Sequence, residues 1–132
     1  MSDTWPIVPH LPLATLPRVL HRKLVYIAGP YRSGNGLSVL ENVRAAERAA
    51  VALARLGIHY ICPHLNTAFM SGDGDHIGVA TSQFFLDLDL NILARCDAVL
   101  LIGDWTKSAG SIGEAVKAIQ LGIPVWQLDE EV

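Results

Sequence analysis

A chain of 132 residues is long enough for one domain that buries a single core without disulfides or a structural metal. Its hydrophobic fraction of 51% and charged fraction of 17% are those of a globular chain with much buried strand, and a net charge of −3 gives no basic footprint for a nucleic-acid backbone. Cys62 and Cys96 stand far apart in apolar contexts, as free buried thiols of a reducing compartment do; no stretch reaches the ~18 uninterrupted apolar residues that span a bilayer, and the amino terminus lacks the pattern of a secretory signal, so a cytoplasmic protein with neither membrane nor nucleic-acid partner is expected.

Residues 1–22 read as a proline-rich arm and residues 23–132 as an α/β domain. The arm holds four of the seven prolines, Pro6, Pro9, Pro12 and Pro17, which deny ladder hydrogen bonds and helix continuation. Its apolar residues, Trp5, Ile7, Val8, Leu11, Leu13 and Leu16, must pack on something, either the same domain or a neighbouring subunit. Lys23 to Ala28 is the first strand, and it runs into the turn Gly29-Pro-Tyr-Arg-Ser-Gly-Asn-Gly36. That turn is neither G-x-G-x-x-G nor G-x-x-x-x-G-K-[ST], which disfavours dinucleotides and nucleoside triphosphates. Arg32 places a guanidinium at the carboxyl end of the strand, where it either grips a phosphate or is a solvated loop charge.

Ser38-x-x-Glu41 is a capping box that opens a helix to about Leu56, with Leu40, Val43, Ala46, Ala50 and Leu53 as its apolar stripe. Gly57 ends it, and Ile58 to Cys62 is the second strand of a right-handed parallel unit. A long loop, Pro63 to about Val79, has the length of a binding loop and carries His64, Asn66, Asp73, Asp75 and His76 among the glycines at 72, 74 and 78. His59-x-x-Cys62-x-His64 has metal-like spacing, but strand alternation puts His59 and Cys62 on opposite faces, and no metal is expected.

Thr81 to Arg95 is the next helix. At about 100° per residue from Phe84, Asp89 falls in the middle of a broad apolar arc made by Leu88, Ile92, Phe85, Cys96, Leu93, Leu86 and Leu90, whereas Asp87 falls on the polar side with Asn91 and Arg95. A carboxylate on an apolar face is costly unless paired or used, and burial raises its pKa toward that of a proton donor; its alternative is to cap a neighbouring loop. Asp97 to Ile102 is a third buried strand. It leads through the loop Gly103 to Gly110 into a helix capped by Ser111 and closed by Gly122 before Pro124, and Ile123 to Leu128 is the last strand, followed by an acidic tail. Glu114 sits in the first turn of that helix, facing the crevice at the carboxyl end of the third strand, where open α/β sheets bind ligands. Ser111-x-x-Glu114 is also a capping box, so the same glutamate has a purely structural reading.

Three features occur together in order: Tyr26-Ile-Ala-Gly-Pro-Tyr-Arg32, Asp89-Leu-Asn-Ile-Leu-Ala-Arg-Cys-Asp97, and Ser108-Ala-Gly-Ser-Ile-Gly-Glu114 opening a helix that ends Gly122-Ile-Pro-Val125. With them the chain resembles the nucleoside 2-deoxyribosyltransferase-like family, including its nucleotide N-glycosidase branch and small phage and bacterial members, over about residues 23–128. The resemblance implies a three-layer, flavodoxin-like α/β domain with a four- or five-stranded parallel sheet. It implies Glu114 as nucleophile, Asp89 as the acid assisting departure of the base, and Tyr26 as the hydroxyl that holds the nucleophile. Arg32 and Ser108, with Gly110 and Ser111 at the helix start, become the phosphate site, and His64 and Asn66 contacts to the base. At the position of Ser108 the transferase branch carries an acidic residue, which would repel a phosphate, whereas a serine donates to one. The expectation is therefore a cofactor-free hydrolase, homodimeric as family members commonly are, that splits a nucleoside 5′-monophosphate into base and sugar phosphate. Base exchange between nucleosides and a non-catalytic nucleotide-binding module are the alternatives.

Overall fold

A computed structural model describes residues 5–67 and 82–129. The strands β1 (His10–Leu11), β2 (Val25–Ala28), β3 (Tyr60–Ile61), β4 (Ala98–Leu101) and β5 (Val125–Leu128) form one parallel sheet in the order β1-β5-β4-β2-β3. The helices are α1 (Leu16–Val19), α2 (Val39–Arg55), α3 (Pro63–Asn66), α4 (Ser82–Leu93) and α5 (Ala109–Gln120). The loop residues 68–81, with Asp73, Asp75 and His76, and the acidic tail beyond 129 lie outside the described residues. Among the described residues no helix is long and apolar enough to cross a membrane.

Strand parity divides the core in two. Val25 and Ile27 of β2 and Ala98 and Leu100 of β4 point toward α1 and α2, where Leu16, Leu20, Ala46, Ala49 and Leu53 cover them. Tyr26 and Ala28, Val99 and Leu101 point the other way, against Leu93 of α4 and Ala115 and Ala118 of α5. Both central strands are buried along their whole length, as parallel strands covered on two faces are. The result is a three-layer, flavodoxin-like α/β domain.

The arm supplies the edge strand. The N–H groups of Gln127 and Asp129 donate to the carbonyls of Pro9 and Leu11 at 2.9 and 3.1 Å, and Gln127 Nε2 donates to the Val8 carbonyl at 2.8 Å. His10 Nδ1 lies 2.7 Å from Asp129 Oδ1. Prolines that forbid a central strand are tolerated here because only one side of an edge strand is paired. Of the two places the arm could pack, it takes its own domain: Leu16 and Leu20 are fully buried.

The capping box of α2 forms as expected, with the Ser38 hydroxyl accepting from the Glu41 N–H at 3.1 Å and Glu41 Oε1 from the Ser38 N–H at 3.0 Å. Its apolar stripe needs one correction. Leu40, in the first turn, is 52% exposed, while Asn42, a polar residue one and two turns before Ala46 and Ala49 on the inner face, is 3% exposed.

After β2 the chain turns to β3 on one side, and from β4 it goes to β5 on the other. The carboxyl ends of β2 and β4 thus frame the point where strand order reverses, which is where such sheets open a crevice.

Candidate active site

A cleft of about 600 Å³ opens at that switch point, within the range of small-ligand pockets. β2 delivers its floor. Gly29 continues the strand so close to β4 that a Cβ on it would stand 2.6 Å from Ile102 Cγ1, which only glycine avoids. The walls are Tyr31, Arg32 and Gly34 from the turn after β2, His64 from α3 and Thr67 just past its end, Phe85, Leu86, Asp89 and Leu90 from α4, and Lys107 to Ser111, Gly113 and Glu114 at the start of α5.

Tyr26 is completely buried, and its parity on β2 aims the phenol at α5, where the hydroxyl donates to Glu114 Oε2. Burial, then the adjacent Glu114 charge, holds the Tyr26 hydroxyl far above its ordinary pKa, so it remains a proton donor. Burial pushes the Glu114 carboxyl up to about 7; the hydrogen bond from Tyr26 opposes this shift and the charge of Asp89 adds to it. Asp89 is pushed up to about 6 by burial, and its Oδ1 is enclosed without a hydrogen-bond partner among the described residues. Asp87, two residues earlier, is exposed and accepts from Gln83 Nε2 at 2.9 Å. The helical phase read from the sequence thus separates the two aspartates correctly.

The cap of α5 differs from the sequence expectation, and the difference bears on Glu114. The N-cap is Ser108: its hydroxyl accepts from the Ser111 N–H at 3.2 Å and from the Ser111 hydroxyl at 3.0 Å. Ser111 lies inside the helix and is buried, so Glu114 belongs to the second turn and caps nothing. Its partner is Tyr26, across the sheet-helix interface. Ser111, expected at the phosphate, spends its N–H and hydroxyl on Ser108 and braces it. Ser108 accepts from both, so its own hydroxyl hydrogen remains to be donated. The N–H groups of Ala109 and Gly110 begin the helix and have no intrahelical acceptor. Gly110 and Gly113 line the cleft and add no side chain to it between Ser108 and Glu114.

Arg32 is exposed at the mouth, with its guanidinium 6.0 Å from the centre of the Tyr31 ring. Lys107, at the end of the short turn Trp105–Lys107, also lines the cleft, with its Nζ 3.9 Å from Asp104 Oδ2. His64 lies in the cleft wall, but its Nε2 sits 2.7 and 3.0 Å from the Gly29 and Pro30 carbonyls. That nitrogen therefore carries the proton, and burial lowers the pKa, which keeps the ring neutral. Asn66 is exposed and not part of the lining. It is Thr67, just past the end of α3 and three residues after His64, that lines the cleft beside the histidine.

The site unites a tyrosine-held carboxylate, a second carboxyl group of raised pKa, and a helix start flanked by two cations. No curated protein matches the sequence. Among solved structures, a 2-deoxyribosyltransferase from the psychrotolerant bacterium Bacillus psychrosaccharolyticus is similar with a TM-score of 0.55 and 22% identity, over 83% of this chain and 76% of that one. At that identity the likeness is one of fold, and it places this chain's fold beside a nucleoside-processing enzyme. Residues 23–128 match the family described as a domain of unknown function, DUF7768, and it is to this family that the chain belongs.

Proposed function

We propose that the protein hydrolyses the N-glycosidic bond of a nucleoside 5′-monophosphate through a glycosyl ester of Glu114. The observation that carries this reading is the bond from the buried Tyr26 hydroxyl to a Glu114 carboxylate that plays no part in capping its helix. Tyr26 holds one carboxylate oxygen, and the other attacks the anomeric carbon. The bond from that carbon to the base nitrogen breaks with its electron pair going to the base, and Asp89 supplies the proton the base takes up. Water then attacks the same carbon, Asp89 recovers a proton from it, and the ester opens to release the sugar phosphate and regenerate Glu114. Covalent catalysis of this kind divides one oxocarbenium-like displacement into two smaller steps. The Ser108 hydroxyl, the first helix N–H groups, Arg32 and Lys107 bind the phosphate.

A screen of nucleoside 5′-monophosphates tests the reaction by its products. Free base with ribose or deoxyribose 5-phosphate means hydrolysis. A new nucleoside formed in the presence of a second base means transfer, and nucleotide bound but recovered intact means a binding module.

Substrate choice follows from the mouth of the cleft. The wild type is expected to prefer the 5′-monophosphate over the matching nucleoside in kcat/KM. Because Arg32 is exposed, its removal should weaken the phosphorylated substrate by roughly 10- to 100-fold, the scale of a hydrogen bond to a charged group. The free nucleoside never uses the contact and should be unaffected by Arg32→Ala. A wild type that prefers the free nucleoside would exclude the phosphate site.

The two carboxyl groups also set a pH profile. Attack requires Glu114 ionised and departure of the base requires Asp89 protonated, so within the singly protonated pair only the arrangement with the proton on Asp89 is active, and it is the minor one because Glu114 holds a proton more tightly. With Asp89 at about 6 and Glu114 at about 7, kcat/KM should be bell-shaped with its maximum midway, at about pH 6.5. It falls on the acid side as the second proton binds and on the alkaline side as the last one leaves. A 5′-phosphate itself titrates at about pH 6, so the profile is measured on the matching nucleoside, which the pair should still cleave at a lower rate; a profile flat from pH 5 to pH 8 would remove the pair from the mechanism.

A further inference from the structure

We propose that Asn42 is a positioning residue, which holds the turn Tyr31–Asn35, and with it Arg32, in place over the cleft. The inference rests on the phosphate-binding reading of Arg32 given above. Asn42 is an uncharged polar side chain buried to 3% exposure on the inner face of α2, where the neighbouring inward positions are alanines, valine and leucine. A polar group that deep is costly unless bonded, and every bond this one makes goes to the same turn. The two hydrogens of its Nδ2 are shared among three acceptors, the Tyr31 carbonyl at 3.1 Å, the Arg32 carbonyl at 3.3 Å and Asn35 Oδ1 at 3.2 Å. Its Oδ1 accepts from Asn35 Nδ2 at 2.9 Å. The turn closes on itself through the Gly34 N–H to the Arg32 carbonyl at 2.9 Å and the Leu37 N–H to Asn35 Oδ1 at 3.3 Å.

The consequences reach both walls of the cleft. The bond to the Tyr31 carbonyl holds the backbone from which the Tyr31 ring springs, and that ring meets His64 edge-on at 5.1 Å and lies 6.0 Å from the Arg32 guanidinium. On its other side, Gly34 backs against the turn that bears Lys107, so closely that a Cβ on Gly34 would stand 3.0 Å from the Lys107 carbonyl. The backbone under Arg32 is therefore clamped from α2 on one side and abuts the second cation's turn on the other. A guanidinium on an unclamped loop must surrender backbone as well as side-chain entropy each time it binds; on a clamped loop only the side-chain part remains.

The test uses the full chain and D-ribose 5-phosphate as probe, with ribose as control, so that neither the base nor turnover enters. Binding is read by calorimetry and the turn by amide hydrogen exchange. Asn42→Ala is expected to weaken ribose 5-phosphate by roughly 10- to 100-fold, and the double variant with Arg32→Ala to bind no more weakly than Arg32→Ala alone. Exchange at Gly34 and Leu37 should quicken while the middle of α2 stays protected. Asn42→Asp keeps the shape but cannot donate to the two carbonyls, so it should reproduce the loss. It also serves as the variant of record if the alanine variant does not fold. Losses that add in the double variant, or unchanged exchange in the turn, would overturn the proposal, as would an Asp variant that binds like wild type. If the wild type binds no ribose 5-phosphate, the phosphate reading of the cleft fails, and exchange at Gly34 and Leu37 still decides whether Asn42 holds the turn.

Discussion

Replacing Glu114 by glutamine is expected to lower base release by roughly 10⁴-fold or more, the scale on which removal of a covalent nucleophile acts, with the fold intact. Glutamine is the informative choice because it keeps an acceptor for the buried Tyr26 hydroxyl, which alanine would leave unsatisfied. Stability moves in a direction that separates this reading from a structural one. Burial raises the Glu114 carboxyl to about 7 in the folded protein, above its value in an unfolded chain. The folded state therefore holds more protons than the unfolded state between the ordinary glutamate range and about pH 7, and this group's contribution to stability declines as pH rises through that window. At pH 8 the ionised carboxylate is a burden on the fold, so Glu114→Gln should melt at or above the wild-type temperature there, with less advantage at pH 5. A glutamate that served the helix as a cap would show the reverse, a loss of stability of ~1 kcal/mol with activity kept. Melting and turnover measured on one preparation decide, and a variant that turns over near the wild-type rate ends the assignment of Glu114 as nucleophile.

Much of this site is legible in sequence because periodicity carries it. Two-residue alternation along Val25-Tyr-Ile-Ala28 is enough to send Tyr26 to the face opposite Val25 and Ile27, and the 100° step of a helix is enough to separate Asp89 from Asp87. The start of α5 is less legible. Two serines three residues apart both suit a cap, and the one followed by Glu114 matches the stronger pattern, yet the helix begins at Ala109 because the turn Trp105–Lys107 delivers Ser108 to the cap position. The edge strand is hidden for a different reason. Two residues between prolines carry no alternation, and β1 is specified by its partner, through the Gln127 side chain and the backbone of β5. Asn42 lies outside the apolar stripe read for its helix and gave no signal, and what satisfies it is a turn whose conformation no periodicity encodes. Lys107 gave no signal at all, since an exposed lysine in a polar loop is ordinary and only the fold brings it to the cleft.

Asp89→Asn and Asp87→Asn should differ by orders of magnitude although the two side chains stand two residues apart on one helix. Asp87 is exposed and bonded to Gln83 on the outer face of α4, so its amide variant should stay close to the wild-type rate. Asp89 lines the cleft with one oxygen enclosed and unpartnered among the described residues, a state that disfavours the carboxylate and keeps a proton available near neutral pH. General-acid assistance of a leaving group contributes about 10²–10⁴-fold, and Asp89→Asn should lose that much with natural bases. An asparagine has the same shape but no acidic proton, so the loss is chemical and should depend on the leaving group. A ribosyl phosphate carrying a nitrophenolate, which departs without protonation, should be cleaved by the Asn variant at a rate much closer to wild type. The alkaline limb of the pH profile should disappear in the same variant, because it reports the proton that asparagine lacks. Equal losses from the two substitutions would mean that α4 presents a different face to the cleft, and a loss at Asp89 that is the same for natural and activated leaving groups would reduce Asp89 from proton donor to a group that only shapes the pocket.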